Sequence, residues 1–427
     1  LSRMEHDSIG ALNVPAEAYY GVQSMRAATN FQITHRPLHP VLIDSIVMVK
    51  KAAAITNEKS GKLDQQIVQA IIQACDEILD GNLRDQFIVD AIQGGAGTSA
   101  NMNANEVIAN RAIEILGGTK GDYSIVHPND HVNMSQSTND VIPTAGKITV
   151  LKLLPQTIKE LEKLEKAMEE KEAEFDDILK MGRTQLQDAV PMRLGQSFGA
   201  FAHVLKRDIK RLKNVMEEMK VLNIGATAIG TAINVDPYYL ANISYELSKV
   251  AGISLKQADD LIDATQNLDG FVSVSGVLKT CAVDISKISN DLRLMSSGPR
   301  TGLSEINLPA RQNGSSIMPG KINPVIPEVV SQVAYLIIGH DYTITMAAEA
   351  GQCEEYIEKS VGISTALCPY IGYAKSAEIA KKSLKTGISV KELILEEGLL
   401  KEEELKEILK PEKMTQPMRE KVMKAVS

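Results

Sequence analysis

The feature that most constrains this chain is a long apolar stripe that begins at Ile148. The apolar positions that follow it recur at gaps of mostly three, four or seven residues: Leu151, Leu154, Ile158, Leu161, Leu164, Met168, Phe175 and Ile178. This spacing predicts one very long amphipathic helix, which Pro155 should kink or interrupt. Charged residues of alternating sign at 160–171 indicate that the opposite face is solvated.

Similar stripes elsewhere predict a bundle of long helices. They cover about 191–222, 272–297 and 324–349, and shorter helices are expected at 41–61, 65–79 and 101–116. Several exceed the mean globular helix of about 11–12 residues, and long helices with a Leu, Ile and Met stripe are typical of bundles. Because 324–338 is apolar on more than one side, we expect it to pack between subunits. Residues 1–40, with three prolines, read as extended or irregular.

Composition narrows the class of protein. Aromatic residues make up 4% of the chain and Trp is absent, so the core must come from aliphatic side chains and Met, which suits packed helices. A net charge of −8 argues against nucleic acid and against a polybasic membrane-binding face. Four scattered cysteines without a CxxC pair favour a reducing compartment. With no apolar leader and no membrane-length apolar run, we expect a soluble, cytoplasmic protein.

The predicted fold is therefore mainly α-helical, with three domains. We place a mixed, mostly helical domain at 1–137, a central long-helix bundle at 138–352 and a small helical domain at 353–427. The last boundary rests on the change to short helices with charged patches after Pro369.

Two hydroxyl-rich segments lie beside predicted helix starts in the first third of the chain. The glycines of residues 94–103 (GGAGTSANMN) could let backbone N–H groups approach an anion. The segment lacks the GK[ST] ending of a phosphate loop, and taken alone it favours an ordinary glycine-rich turn with a Ser or Thr N-cap over a binding site. Ser137, Thr138 and Asn139 could bind a carboxylate at the positive end of the long helix, or could simply cap it. His127 and His131 lack an acidic partner motif, so we expect no metal there.

Two further segments interrupt the bundle pattern. Residues 182–191 (GRTQLQDAVP) form a polar junction between long helices. Residues 314–324 (GSSIMPGKINP) form a loop with a hydroxyl pair shortly before Lys321. A serine can act as a base only where positive charge or backbone N–H groups stabilise its alkoxide. No GxSxG elbow of a hydrolase is present.

The loop GSSIMPGKINP resembles the signature loop of the aspartase/fumarase superfamily. The other three segments match that superfamily's remaining blocks in the same order, and the resemblance runs from about Glu5 to about Pro417. It is nearer to the aspartase branch than to class II fumarases. GAGTSANMNANE has the aspartase form, Gln185 stands where fumarases carry histidine, and Thr138 stands where they carry a second serine.

This resemblance implies an anti elimination of ammonia from L-aspartate that gives fumarate through an aci-carboxylate. It implies that Ser315 is the general base and that Lys321 and Asn323 contact the substrate carboxylates. The remaining implied ligands fall into three groups. The hydroxyls of Thr98, Ser137 and Thr138 would bind the β-carboxylate and stabilise the aci form, and the resemblance counts Thr138, like Ser315 and Lys321, as catalytic. Asn139, Thr184 and Gln185 would hold the α-amino and α-carboxylate end, and Arg26 would lie near the site.

The resemblance also implies a homotetramer whose active sites take residues from three subunits. It implies no organic cofactor, and although Mg²⁺ activates some members, we find no ligand cluster for it in the sequence. Two departures stand out: Leu12 replaces an arginine of the family, and Gln352 runs directly into Cys353 where members carry another bundle helix. We favour residues omitted at this junction over a true deletion, because losing the helix would expose the apolar stripes of its neighbours.

Two other functions remain open from the sequence. A class II fumarase would hydrate fumarate to malate, and a catalytically silent relative would serve as a structural helical protein. The presence of Ser315, Lys321 and Asn323 argues against the silent relative.

Overall fold

A computed structural model describes residues 1–350, 361–410 and 414–415. The chain is mainly helical, as predicted. The helices are α1 (Val22–Asn30), α2 (Pro40–Lys59), α3 (Gln65–Leu79), α4 (Thr98–Ile115), α5 (Thr138–Glu174), α6 (Leu194–Met219), α7 (Pro237–Ala251), α8 (Leu261–Gln266), α9 (Asp269–Met295), α10 (Val325–Glu349), α11 (Cys368–Ile371), α12 (Tyr373–Thr386), α13 (Val390–Glu396) and α14 (Glu402–Ile408). The strands are β1 (Ser2–Asp7), β2 (Gly10–Pro15), β3 (Leu179–Thr184), β4 (Gln187–Arg193), β5 (Val221–Leu222) and β6 (Lys256–Gln257).

The chain divides into two compact units. The first comprises Leu1–Thr149, Lys220–Asn267 and Gln352–Ser427, and the second comprises Val150–Met219 and Leu268–Gly351. The second unit holds most of the long-helix bundle. The three-domain division at 137 and 352 stays a prediction, and the junction between Gln352 and Cys353 lies outside the described residues.

The long helix predicted from the apolar stripe is confirmed as α5. It begins earlier than Ile148, at Thr138, and it ends at Glu174, so the predicted extension to Phe175 and Ile178 is wrong. It runs through Pro155 without interruption, so the alternative of a break there is also wrong. A proline inside a helix costs about 3 kcal/mol through its missing N–H and its clash with the preceding turn. Burial of Leu154 and Ile158 on either side of Pro155 offsets that cost.

The other long helices of the second unit follow the predicted stripes. α9 and α10 begin and end within a few residues of the expected 272–297 and 324–349. α6 starts at Leu194 rather than 191, because 187–193 pairs with 179–184 in an antiparallel hairpin. The sequence did not predict this hairpin, whose strands are short and carry a β-bulge.

In the first unit, α2, α3 and α4 are close to their predicted bounds and pack around a core that includes Ile46, Ile71 and Ile108. The expectation that residues 1–40 are extended or irregular holds for the β1–β2 hairpin but is wrong for α1. α7 was also missed. None of the helices in the described part of the chain combines the length and the apolarity needed to cross a membrane.

Two glycines of the first unit make a matched test of backbone packing. Gly230 and Gly61 both have φ in the left-handed region, at 96° and 74°. An added Cβ would meet nothing at Gly61 but would lie 2.4 Å from Ile262 Cα at Gly230. Gly61→Ala should therefore cost about 1–2 kcal/mol for the backbone conformation alone. Gly230→Ala should cost about 1–3 kcal/mol more, because backbone atoms must move.

The measurement is the urea midpoint of unfolding of each variant, followed by circular dichroism. Equal losses of stability in the two variants would contradict the close packing described at Gly230.

Candidate active site

The sequence-predicted site residues fall into two groups, one in each unit. The first unit carries Arg26, Thr98, Ser137, Thr138 and Asn139, and the second carries Thr184, Gln185, Ser315, Lys321 and Asn323. All of them except Arg26, which lies in the middle of α1, lie at helix starts, at a hairpin turn or in a loop, where side chains and backbone N–H groups remain able to contact a ligand.

The starts of α4 and α5 lie against each other. Thr98 is the first residue of α4 and its hydroxyl donates to the carbonyl of Gly95 at 2.7 Å. Gly97 precedes it with φ 89°, and an added Cβ there would lie 2.9 Å from Ile142 Cγ1 in the second turn of α5. Glycine thus allows both the turn and the close approach. As a result Thr98 and Thr138 start neighbouring helices.

A buried carboxylate fixes the backbone at the start of α5. Asp140 Oδ1 accepts from Ser137 N at 2.9 Å, and its Oδ2 accepts from Gly225 N and Thr227 N, both at 3.1 Å. Burial raises the pKa of Asp140 to about 6, outweighing the effect of these N–H donors. Asp140 therefore ties the hydroxyl-rich start of α5 to the segment at 225–227.

A second buried network reaches Thr138 from α2. Lys50 Nζ donates to Asn133 Oδ1 at 2.7 Å and to Gln136 Oε1 at 2.9 Å. Asn133 Oδ1 also accepts from Asn101 Nδ2 at 3.1 Å. The same Asn101 nitrogen lies 3.3 Å from Thr138 Oγ1. These contacts restrict the rotamers of the polar side chains beneath the start of α5.

Sequence reasoning missed Lys50, Asn133 and Asp140. For Lys50 a signal was available, since it follows Ile46 and Val47 at helical spacing and so lies on the apolar face of α2. For Asp140 the pattern Ser137-x-x-Asp140 before an apolar run signalled its contact with Ser137 N, whereas its partners at 225 and 227 are distant in the sequence and become neighbours only in the fold.

The structure pairs Arg26 with the N-terminal hairpin. Its Nε donates to Asp7 Oδ2 at 2.8 Å and its Nη2 to the carbonyl of Gly10 at 2.9 Å. Burial raises the pKa of Asp7, but hydrogen bonds from Arg26 and from backbone N–H groups outweigh it and leave the pKa below its usual value. A role of Arg26 toward substrate stays a prediction.

In the second unit, Thr184 and Gln185 lie at the turn of the β3–β4 hairpin. Thr184 pairs with Gln187, so the turn consists of Gln185 and Leu186, with φ 52° and 64°. Positive φ at both central residues is the geometry of a type I′ turn, in which Asn and Gly are normally preferred. Thr184 and Gln185 are both exposed.

The loop at 314–323 is tied at its ends. Gly314 N donates to the carbonyl of Lys321 at 2.8 Å, and Asn323 Nδ2 donates to the carbonyl of Gly314 at 3.0 Å. Ser315 Oγ accepts from Ile317 N at 3.2 Å and from Met318 N at 3.0 Å. Two backbone donors therefore face the oxygen that the sequence predicts to be the base. Lys321 is exposed.

The two histidines near the first group act as backbone acceptors. Nδ1 of His127 accepts from Asn129 N at 3.2 Å and Asp130 N at 3.1 Å, and Nδ1 of His131 accepts from His127 N at 2.9 Å. Among the described residues, no cluster of three or more His, Cys, Asp or Glu side chains is arranged to hold a metal ion.

The chain belongs to the lyase family: the family model described as Lyase matches residues 10–339, and the model described as Fumarase C C-terminus matches residues 363–416.

Curated relatives are similar over nearly the whole chain. Aspartate ammonia-lyase of a Bacillus species is 50% identical over 97% of this chain and 98% of its own length. The aspartate ammonia-lyase of Escherichia coli K12 is 46% identical over 97% of this chain and 96% of its own length. The first alignment spans 457 positions, so a few dozen positions of that relative have no counterpart in the 427 residues of this chain.

Two solved structures of similar fold agree with this family assignment. A fumarate lyase:delta crystallin from Brucella melitensis, bound to cobalt, has a TM-score of 0.81 and 47% identity, covering 98% of this chain and 100% of the other. A class II fumarase from Schistosoma mansoni has a TM-score of 0.79 and 32% identity, with the same coverage.

Lys50 offers a test of the buried network through pH. Burial lowers the pKa of Lys50 to about 7, although the charge of Asp140 acts in the opposite direction. In the unfolded chain its pKa is about 10.4. Between these values the unfolded state binds more protons than the folded state, so the lysine makes stability rise with pH by up to about 1.4 kcal/mol per pH unit. That contribution is lost as pH falls through 7.

Lys50→Met should remove this dependence while keeping the length of the side chain. The measurement is the free energy of unfolding of both proteins at pH 7.5 and pH 9.5 (roughly the lower and upper parts of the window). The free energy of unfolding of the native protein minus that of the variant should be larger at the higher of these two pH values. A difference that stays constant would mean that Lys50 remains charged in the fold.

Proposed function

We propose that this chain is an ammonia-lyase that eliminates ammonia from L-aspartate to give fumarate, reversibly. The observation that carries the proposal is 46–50% identity over nearly the full length to relatives named aspartate ammonia-lyase. Identity to the class II fumarase structure is 32%, which makes fumarate hydration the second candidate. Gln185 and Thr138, which stand at positions where fumarases differ, favour the first.

The reaction is difficult because the proton leaves a carbon next to a carboxylate. Its removal converts that carboxylate into a dianionic aci form, so an enzyme must hold donors where the new charge develops. In our proposal Thr98, Ser137 and Thr138 bind this carboxylate. Their place at two adjacent helix starts supports the assignment, since N-terminal N–H groups and the helix dipole favour negative charge.

Ser315 is the general base in this proposal and takes the Cβ proton on its Oγ. A serine hydroxyl is a weak base unless its alkoxide is stabilised. The two backbone N–H groups that donate to Ser315 Oγ would also stabilise the alkoxide, which supports this assignment. Ser315 acts as its alkoxide and becomes a neutral hydroxyl when it takes the proton, while the electron pair of the C–H bond moves into the β-carboxylate and gives the aci form. That pair then returns to form the Cα–Cβ double bond as the C–N bond breaks, and the C–N electron pair leaves with the nitrogen as ammonia.

The other predicted ligands would orient the substrate. Lys321 and Asn323 would contact its carboxylates, while Thr184 and Gln185 with Asn139 would hold the α-amino and α-carboxylate end. The exposure of Thr184, Gln185 and Lys321 in this chain is consistent with contact to a ligand. Arg26 would lie near the site, in addition to these ligands.

We also propose that the chain assembles as a homotetramer with active sites built from three subunits. The support is the apolar surface of α10. Val333, Leu336 and Tyr342 are 50%, 58% and 70% exposed, and five other large apolar residues of the same helix are exposed as well. An apolar surface of this extent is typical of a protein–protein contact. Composite sites would explain why the predicted residues need not meet within one chain.

Ser315→Ala tests the proposed base. Turnover of L-aspartate, followed by the absorbance of fumarate, should fall by about 10²–10⁴-fold, the usual contribution of general base catalysis. The circular dichroism spectrum and the oligomer mass should not change. Ser316→Ala removes the neighbouring exposed hydroxyl and is the matched control, with a much smaller effect. Wild-type turnover in Ser315→Ala would exclude Ser315 from the mechanism.

The same assay separates the three candidate functions. Fumarate formed from L-aspartate alone supports the ammonia-lyase, and fumarate formed from L-malate alone supports a fumarase. Fumarate formed from neither would indicate a catalytically silent relative.

Val333→Arg tests the assembly. The arginine would place a charge in a contact that excludes water, so the tetramer should dissociate into single chains of 46.4 kDa. The column fractions that contain these single chains should have no activity. Light scattering after size exclusion gives the mass. Lys210→Glu, a charge reversal at an exposed position of α6, is the control and should leave both mass and activity unchanged. An active monomer would contradict composite active sites.

A further inference from the structure

The β3–β4 hairpin has few side-chain contacts of its own to hold it in place. Every residue of β4 is exposed except Met192, which is partly buried. In β3 only Gly182 is buried, and Lys180 and Arg183 are partly buried. The turn that carries Gln185 therefore depends on a small number of contacts made by β3 with the rest of the second unit.

The turn itself is strained. Gln185 and Leu186 have φ 52° and 64°, and neither is glycine or asparagine. For residues with a Cβ, this left-handed conformation costs roughly 1–2 kcal/mol each. Such a conformation persists only where the surrounding structure fixes it, and it is frequent at binding sites. Contacts that fix the strand leading into the turn therefore decide where Thr184 and Gln185 lie.

A β-bulge places two cations of β3 on one side of the hairpin. In a regular strand, residues three apart, such as Lys180 and Arg183, point to opposite faces. The pairing register shifts between Met181 and Arg183, which changes that alternation. Gly182 makes the shift possible, because an added Cβ would lie 2.8 Å from the carbonyl oxygen of Val190.

Both cations bind the same carboxylate. Glu305 Oε1 lies 2.7 Å from Arg183 Nη2, and Glu305 Oε2 lies 3.1 Å from Lys180 Nζ. The three side chains are between 11% and 20% exposed, so water screens these pairs less than it would surface pairs. Burial raises the pKa of Glu305, but Arg183 and Lys180 outweigh it and leave the pKa below its usual value. Glu305 is thus ionised at neutral pH.

The backbone of Glu305 is in turn anchored to the bundle. Its N–H donates to the carbonyl of Met295, the last residue of α9, at 2.8 Å. Arg183 directly precedes Thr184 in the chain. A rigid connection therefore runs from the end of α9 through the carboxylate of Glu305 to the residue before the proposed substrate ligands.

We propose that Glu305 is a positioning residue for Thr184 and Gln185, an inference that rests on the proposed ammonia-lyase function. Glu305 acts through Arg183 and Lys180 and does not itself contact substrate. Without its charge, the strained turn would sample other positions, and the substrate's α-amino and α-carboxylate groups would lose two ligands that are already in place.

The test compares Glu305→Gln, which keeps the shape of the side chain and removes its charge, with the native enzyme. KM for L-aspartate should rise about tenfold, with a smaller fall in kcat, because these ligands bind ground state and transition state alike. Hydrogen exchange of the amides at 183–190 should become faster, while exchange in α9 stays the same. The thermal midpoint should stay within a few degrees.

A matched control is available at the other end of the same hairpin. Asp176 Oδ1 lies 2.8 Å from Arg193 Nε, and both side chains are about half exposed. Asp176→Asn also removes an ion pair of the hairpin but leaves Glu305 intact, and an exposed pair contributes little. It should leave KM, kcat and exchange at 183–190 unchanged. A second variant, Lys180→Met, should raise KM in the same direction as Glu305→Gln by a smaller factor.

The outcomes separate the two proposals. If the native protein forms no fumarate from L-aspartate, the proposed function fails. Faster hydrogen exchange at 183–190 in Glu305→Gln would still show that Glu305 holds the hairpin in place. If the native protein is active, unchanged KM and unchanged exchange in Glu305→Gln would overturn the positioning role. A fall in kcat and thermal midpoint without a rise in KM would also overturn it, since it would indicate a general structural role. If Glu305→Gln does not fold, Lys180→Met decides by the same criteria.

Discussion

The proposed site depends on one interaction, the carboxylate of Asp140 accepting three backbone N–H groups at the start of α5. The hydroxyls of Ser137 and Thr138 can serve as preorganised donors only if the backbone that carries them does not rearrange when charge develops on the substrate. Asp140 fixes that backbone through its hydrogen bonds. The network from Lys50 through Asn133 and Asn101 restricts the side chains at the start of α5. In the proposed mechanism, the preorganisation of these donors therefore comes from buried groups that hold the backbone and the side chains in place.

The second unit holds its predicted ligands in place with fewer buried groups. Its predicted ligands lie on an exposed hairpin and on a loop, and in both cases short polar contacts take the place of a packed core. Glu305 holds the hairpin through two cations, and Gly314 holds the loop through Lys321 and Asn323. In the proposed mechanism only the loop at 314–323 closes over the substrate, and a loop held by a few polar contacts can move at low cost.

The helices were predictable because their burial is one-sided. The stripe from Ile148 gave the register of α5 correctly, and 65–79 was correct at both ends. The hairpins could not be predicted in this way, since short exposed strands such as β4 have no apolar alternation to detect. The prediction missed α7 although it has the same one-sided pattern, with Tyr239, Ile243 and Leu247 buried at a spacing of four residues. For the site, hydroxyl-rich segments drew attention to Thr98, Ser137, Thr138 and Ser315, and the family resemblance assigned their roles, which stay predictions. The contacts of Asp140 with 225 and 227 and of Glu305 with Lys180 and Arg183 join residues far apart in the sequence, and such pairs become visible only in three dimensions.

The most direct test of the central claim is a crystal structure of the assembled protein with a bound, unreactive dicarboxylate such as succinate. The proposed mechanism predicts one carboxylate at the starts of α4 and α5, within hydrogen-bonding distance of Thr98, Ser137 and Thr138, and Ser315 Oγ facing the adjacent carbon with the loop at 314–323 closed over it. A dicarboxylate bound elsewhere, or one bound there with Ser315 distant from the carbon even in the closed loop, would contradict it.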